Sequence, residues 1–93
     1  MTTHPGEVLK EEFLDPLGMS VNSLAMALRV PATRIGAIVK EERSVTADTA
    51  LRLGRFFGTS AEFWMNLQAM HDLTKTRKES GVSIERDIDP RAA

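Results

Sequence analysis

Apolar residues recur along most of the chain at helical rather than strand spacing. Val21, Leu24, Ala25 and Leu28 fall at i, i+3, i+4 and i+7, the face of a helix that must be buried, and Ser20 before them is a capping residue. An earlier helix opens at Pro5 and carries Val8, Leu9 and Phe13 on one side with charged residues opposite; Pro16 and Gly18 end it. Arg29 and Val30 interrupt the pattern, and Pro31 can start a third helix because its missing N–H would be unpaired there anyway. Ile35, Ile38 and Val39 form its inner stripe. A fourth helix is capped by Thr46 and runs through Ala50, Leu51, Leu53, Phe56 and Phe57 to Gly58. The fifth opens at Thr59 or Ser60 and runs to about Lys78, with Gly81 as its stop. Period-two runs are missing until the last dozen residues, where Val82, Ile84 and Ile88 suit a short strand or an extended arm. The pattern therefore predicts an all-α chain of five helices with a short C-terminal tail.

The 93 residues, 42% of them hydrophobic, make one domain over residues 1–93, with a core over 4–78 and a tail over 79–93. Only 5% are aromatic, so a solitary core would be small and a second subunit would add to it. The fifth helix points to where. Phe63, Leu67 and Met70 make one stripe, while Trp64, Met65, Ala69 and Leu73 spread apolar surface over much of the remaining circumference. Those four are the expected dimerisation residues of a two-fold homodimer. Cysteine is absent, which removes disulfides, thiolate metal clusters and thiol nucleophiles together. The longest apolar runs, Leu24 to Leu28 and Ile35 to Val39, fall far short of the roughly 20 residues needed to cross a bilayer. The start, Met1 to Pro5, has no signal pattern. A soluble, cytoplasmic protein with no membrane partner is expected.

A net charge of -1 argues at first against a nucleic-acid partner, but it conceals a gradient. Residues 1–28 hold Lys10 against Glu7, Glu11, Glu12 and Asp15; residues 29–55 hold Arg29, Arg34, Lys40, Arg43, Arg52 and Arg55 against Glu41, Glu42 and Asp48. The middle of the chain is basic. Such a cluster by itself equally fits a solvated face, so placement must decide. The second and third helices are joined by a tight break, and the third turns small and cationic residues outward, as a helix-turn-helix requires. Ala25 and Ala27 allow the two helices to approach closely. Ala32, Thr33, Arg34 and Ala37 are slim enough, or in the case of Arg34 long enough, to read a major groove about 12 Å wide. Arg34 can make a bidentate bond to guanine, Thr33 can bond a base edge or a phosphate, and Ala32 or Ala37 can touch a thymine methyl. Lys40, Arg43 and Ser44 follow at the exit, where phosphates lie. Gly36 costs the helix roughly 1 kcal/mol relative to alanine, which either close packing, the preferred reading, or a close backbone approach would explain. The competing reading is an ordinary helical hairpin solvated by Arg34 and Lys40.

Enzymatic chemistry has little to build on. His4 and His71 are the only histidines, neither has a histidine or carboxylate four residues away, and each reads as a surface or cap histidine. No metal, cofactor or catalytic residue is expected. Glu11-Glu12 and Glu41-Glu42 are adjacent pairs that point to different sides of a helix, and Met65 and Met70 are packing residues.

Beyond spacing, the chain resembles the HigA (VapI) type of helix-turn-helix antitoxin of bacterial toxin-antitoxin modules, of the XRE-like class. The matching words include His4-Pro5-Gly6-Glu7, Pro16-Leu17-Gly18-Met19-Ser20, Val30-Pro31, Arg43-Ser44-Val45-Thr46 and Ala47-Asp48-Thr49-Ala50-Leu51-Arg52-Leu53. Phe57-Gly58-Thr59-Ser60 and Phe63-Trp64-Met65-Asn66-Leu67-Gln68 complete the set. The resemblance implies a five-helix, lambda-repressor-like, dimeric DNA-binding domain that represses its own operon by binding operator DNA. It also implies neutralisation of a cognate toxin protein, an mRNA endonuclease. Two departures from the family pattern stand out: Lys40-Glu41-Glu42 where a glycine usually follows the recognition helix, and His71 where a tyrosine is common. A free-standing regulator without a toxin is the alternative, and a helical interaction module that no longer binds DNA is a third reading.

Overall fold

In the computed structural model, which describes residues 3–91, the five helices are α1 (5–17), α2 (Val21–Leu28), α3 (Ala32–Val39), α4 (Ala47–Phe57) and α5 (Ala61–Asp87). No strand occurs among the described residues. α1 is built in three parts: an α-turn Pro5–Val8, a π-helical stretch Leu9–Leu14 and a closing α-turn Asp15–Leu17. The Asp15 N–H bonds Lys10 O, five residues back, so the helix is wide just before Pro16. Proline has no N–H and its ring crowds the carbonyl four residues earlier; here it sits inside the last turn rather than beyond it. Gly18, at φ 63°, then ends the helix in the left-handed conformation that glycine tolerates best.

Side-chain oxygens do most of the capping that the sequence implies. Ser20, Thr46 and Ser60 accept from the N–H groups of Ser23, Thr49 and Phe63. His4 caps α1 with a ring nitrogen, Nδ1 accepting from Gly6 N at 2.9 Å. Leu9, Leu14, Leu24, Ala25, Leu28, Ile35, Ile38, Val45, Ala50, Leu53 and Trp64 form one core drawn from every helix. α1 lies against the end of α3 so closely that a side chain at Gly6 would run into the Ile38 carbonyl oxygen.

Three expectations are corrected. α5 does not stop near Lys78: it passes through Gly81 to Asp87, and Ile88 is extended. One glycine costs a helix only about 1 kcal/mol, too little to stop it, and the helix ends just ahead of Asp89, whose helical conformation Pro90 disfavours. Val82 and Ile84 are thus helical, neither strand nor arm, and the tail over 79–93 shrinks to a few residues after Asp87. On α5 the inward stripe is Ala61, Trp64, Leu67, Gln68 and His71, whereas Phe63 and Met70 are exposed. Trp64, expected at a dimer surface, is 0% exposed and gives its Nε1–H to Thr59 Oγ1 at 2.8 Å. Polar Gln68 and His71 disguised the inner face. Finally, Ala27 is exposed while Ala25 alone is buried between the helices. Among the described residues no helix is long and apolar enough to cross a membrane.

Candidate nucleic-acid interface

α2 and α3 are joined by three residues, and the joint is made by backbone hydrogen bonds rather than glycine. Arg29 takes a left-handed φ of 59°, and Val30 N–H closes back on Ala25 O at 3.0 Å, the closure typical of a helix ending in that conformation. Pro31, extended at ψ 143°, then stands at the N-cap of α3 without a side-chain cap bond. The same termination recurs at the far end of α3. Glu41 is left-handed at φ 63°, and Glu42 N–H bonds Ala37 O at 2.9 Å. Glu41 thereby holds the conformation that a glycine would adopt at lower cost.

With Ile35 and Ile38 buried, the opposite face of α3 is a shallow groove of about 340 Å³ lined by Ala32, Thr33, Gly36, Ala37, Lys40 and Glu42. Four of the seven residues assigned to DNA from sequence, Ala32, Thr33, Ala37 and Lys40, line it together. Arg43 and Ser44 are exposed but line a separate polar cavity of about 170 Å³ with His4, Glu41, Glu42, Gln68, His71, Asp72 and Lys75. Arg34 is not part of the groove's lining, and its side chain is 26% exposed. Its Nη1 donates to Asp48 Oδ2 at 2.8 Å; the same oxygen accepts from Arg52 Nε at 2.9 Å, and Arg52 Nη1 donates to Leu28 O at 2.8 Å. One carboxylate thus ties α3, α4 and the end of α2 together. The hydrogen bonds from Arg52 and then Arg34 hold its carboxyl below the usual carboxylate range.

Gly36 has room for a side chain: a Cβ there would meet only Val21 Cγ1, at 3.9 Å. Packing against α2 does not require the glycine, contrary to expectation. What its absent side chain keeps open is the groove.

Behind the exit turn, Gln68 is buried, accepting from Val45 N–H through Oε1 at 2.7 Å and donating through Nε2 to Asp72 Oδ1 at 2.9 Å. His4 and His71 meet edge to face, their ring centres 4.8 Å apart. Burial, then the neighbouring His71, pushes His4 below its ordinary value. His4 Nδ1 accepts a backbone bond, so in the neutral ring the proton is on Nε2. Among the described residues no group of three histidine or acidic side chains is placed to hold a metal. Of the expected dimerisation residues Met65, Ala69 and Leu73 are exposed, and further along, beyond a polar stretch, Ile84 and Ile88 are exposed as well. Sequence reasoning missed Asp48, Arg52 and Gln68. The i, i+4 spacing of Asp48 and Arg52 was a usable signal; a buried glutamine leaves none.

A model of the helix-turn-helix family matches residues 9–64. The virulence-associated protein I of Dichelobacter nodosus is 51% identical over 76 residues, which cover 82% of this chain and 70% of that protein. Among solved structures, the Pseudomonas aeruginosa antitoxin HigA with the higBA promoter superposes with a TM-score of 0.95 at 46% identity, covering 99% of this chain and 100% of that one. An addiction module antidote protein of the HigA family from Coxiella burnetii gives a TM-score of 0.92 at 49% identity, over 98% and 100% of the two chains.

Proposed function

The chain belongs to the helix-turn-helix proteins of the HigA antitoxin type, and on that premise we propose that it is a cytoplasmic autorepressor that binds its own operator and neutralises a cognate toxin. The groove on α3 carries the DNA half of this reading. It is lined by small residues together with Thr33 and Lys40, with Glu42 beside them, the slender shape that entry into a major groove demands. Thr33 and Arg34 read bases, Ala32 and Ala37 pack on thymine methyls, and Lys40, Arg43 and Ser44 hold phosphates. Arg34→Ala should relax sequence preference and cost roughly 1 to 3 kcal/mol, whereas Lys40→Ala should weaken all duplexes alike and lower the salt slope by about 1. Equal losses on operator and random DNA for Arg34→Ala would refute the assignment.

A palindromic operator needs two copies with recognition helices about 34 Å apart. The exposed line of Met65, Ala69 and Leu73 supports a second copy at α5. Sedimentation of Leu73→Glu should give a monomer at concentrations where the unmodified chain is a dimer. For the toxin, the acidic α1 is the docking surface: Glu11, Glu12 and Asp15 are exposed, and such a face steers a cationic partner. Co-purification with the neighbouring gene product tests the partnership. Reversing Glu11 and Glu12 to lysine should slow toxin association and leave operator affinity unchanged or higher.

A further inference from the structure

We propose that Asp48, on α4 and outside the recognition helix, is a specificity-determining residue that acts by positioning Arg34. The inference rests on the DNA-binding reading above. Arg34, next to the groove residue Thr33 on α3, spends one of its five N–H donors on Asp48. The remaining donors keep a preset direction only while that bond holds. Asp48 is itself fixed from behind: Arg52 donates to the same carboxylate oxygen, and Arg52 is anchored on the Leu28 carbonyl at the end of α2. The guanidinium is therefore referenced to both helices of the motif before any DNA arrives. A long side chain loses substantial rotamer freedom when it is ordered on binding, and here that ordering precedes the encounter. Base reading gains from it because a bidentate bond to guanine tolerates little angular error. Phosphate attraction gains nothing, and the carboxylate opposes it.

These two consequences have opposite signs, which makes them separable from a simple loss of stability. The experiment compares Asp48→Asn, Arg34→Ala and the double variant with the unmodified chain. The ligands are a duplex that the unmodified chain selects from a random library and a scrambled duplex of the same composition. Asp48→Asn should bind the selected duplex about tenfold more weakly and the scrambled one equally or more tightly, and the base preference contacted by Arg34 should flatten. In the Arg34→Ala background the same substitution should leave the selected duplex unaffected. Asp48→Glu, which keeps a carboxylate within reach, should restore part of the preference. Parallel losses on both duplexes, or an undiminished Asp48→Asn penalty without Arg34, would overturn the proposal and leave Asp48 a structural tie. Selection of no preferred duplex by the unmodified chain would overturn the DNA-binding reading itself.

Discussion

Gln68 is a polar side chain whose loss should cost the fold a measurable part of its stability. Its Oε1 accepts the Val45 N–H and its Nε2 reaches Asp72; both Gln68 and Val45 are buried. Replacement by methionine keeps the volume, so the cost is mainly that of a buried N–H left without an acceptor, about 1 to 3 kcal/mol. For a domain of this size each kcal/mol lowers Tm by roughly 4 to 8 °C, which gives a fall of about 4 to 24 °C by calorimetry. Gln68→Glu separates the two bonds. A carboxylate still accepts from Val45 but confronts Asp72 without a proton to donate, so this variant should be destabilised near neutral pH. Below about pH 4, where carboxyls take up protons, its deficit relative to the unmodified chain should shrink. A Gln68→Met variant within about 0.5 kcal/mol of the unmodified chain, outside the range for an orphaned buried donor, would refute the reasoning. So would a Gln68→Glu deficit independent of pH.

The capped end of α1 should make stability depend on pH. His4 lies below its ordinary value near 6.5, so the unfolded chain takes up its proton first; stability is full above that value and falls as pH drops below it. Glu41 and Asp72 oppose the shift, while His71 and Lys75 reinforce it; His4→Asn, which keeps a capping acceptor, should flatten urea-melt stability across that window. Glu41→Gly removes the left-handed strain at φ 63° and should hold or raise stability by up to about 1 kcal/mol, with tighter binding to any duplex in a mobility-shift titration. Gly6→Ala, driven into the Ile38 carbonyl, should abolish the cooperative melting transition. Gly36→Ala should raise Tm, since the helix gains about 1 kcal/mol and the Cβ makes only an ordinary contact with Val21, yet it should weaken operator binding by narrowing the groove that Gly36 lines.

Local chemistry carried most of the helix boundaries. Ser20, Pro31, Thr46, Gly58 and Ser60 stand within one residue of where the helices begin or end, because caps and turn residues act through near neighbours. The helix-turn-helix pair and four residues of its groove were legible for the same reason: a face of α3 follows from i, i+3, i+4 spacing alone. What spacing concealed was the pairing of distant residues. The inner stripe of α5 includes Gln68 and His71, polar side chains that become interior only because Val45 and His4 arrive from elsewhere in the chain. Trp64 looked like surplus apolar surface until Phe13, Phe57 and Thr59 closed around it. Arg34 read as a free base reader because nothing local reveals that Asp48, fourteen residues on, holds it.

The recognition helix is the element least able to stand alone. Eight residues long, with a glycine at its middle and no side-chain cap bond at its start, it falls well below the roughly 12 to 15 residues at which an isolated helix becomes even marginal in water. Its order is supplied from outside: Ile35 and Ile38 in the core, Arg34 on Asp48, the Ile38 carbonyl under Gly6, and the exit turn tied through Val45 to Gln68. Each of these ties leads away from the groove, so the exposed face is left free of structural duty and can be small, polar or missing a side chain altogether. Affinity for DNA and stability of the fold are therefore separable at Thr33, Gly36 and Lys40, and coupled at Arg34, Val45 and Gln68. A change in the first set alters what is bound. In the second set it acts on how the helix is held as well as on what it binds.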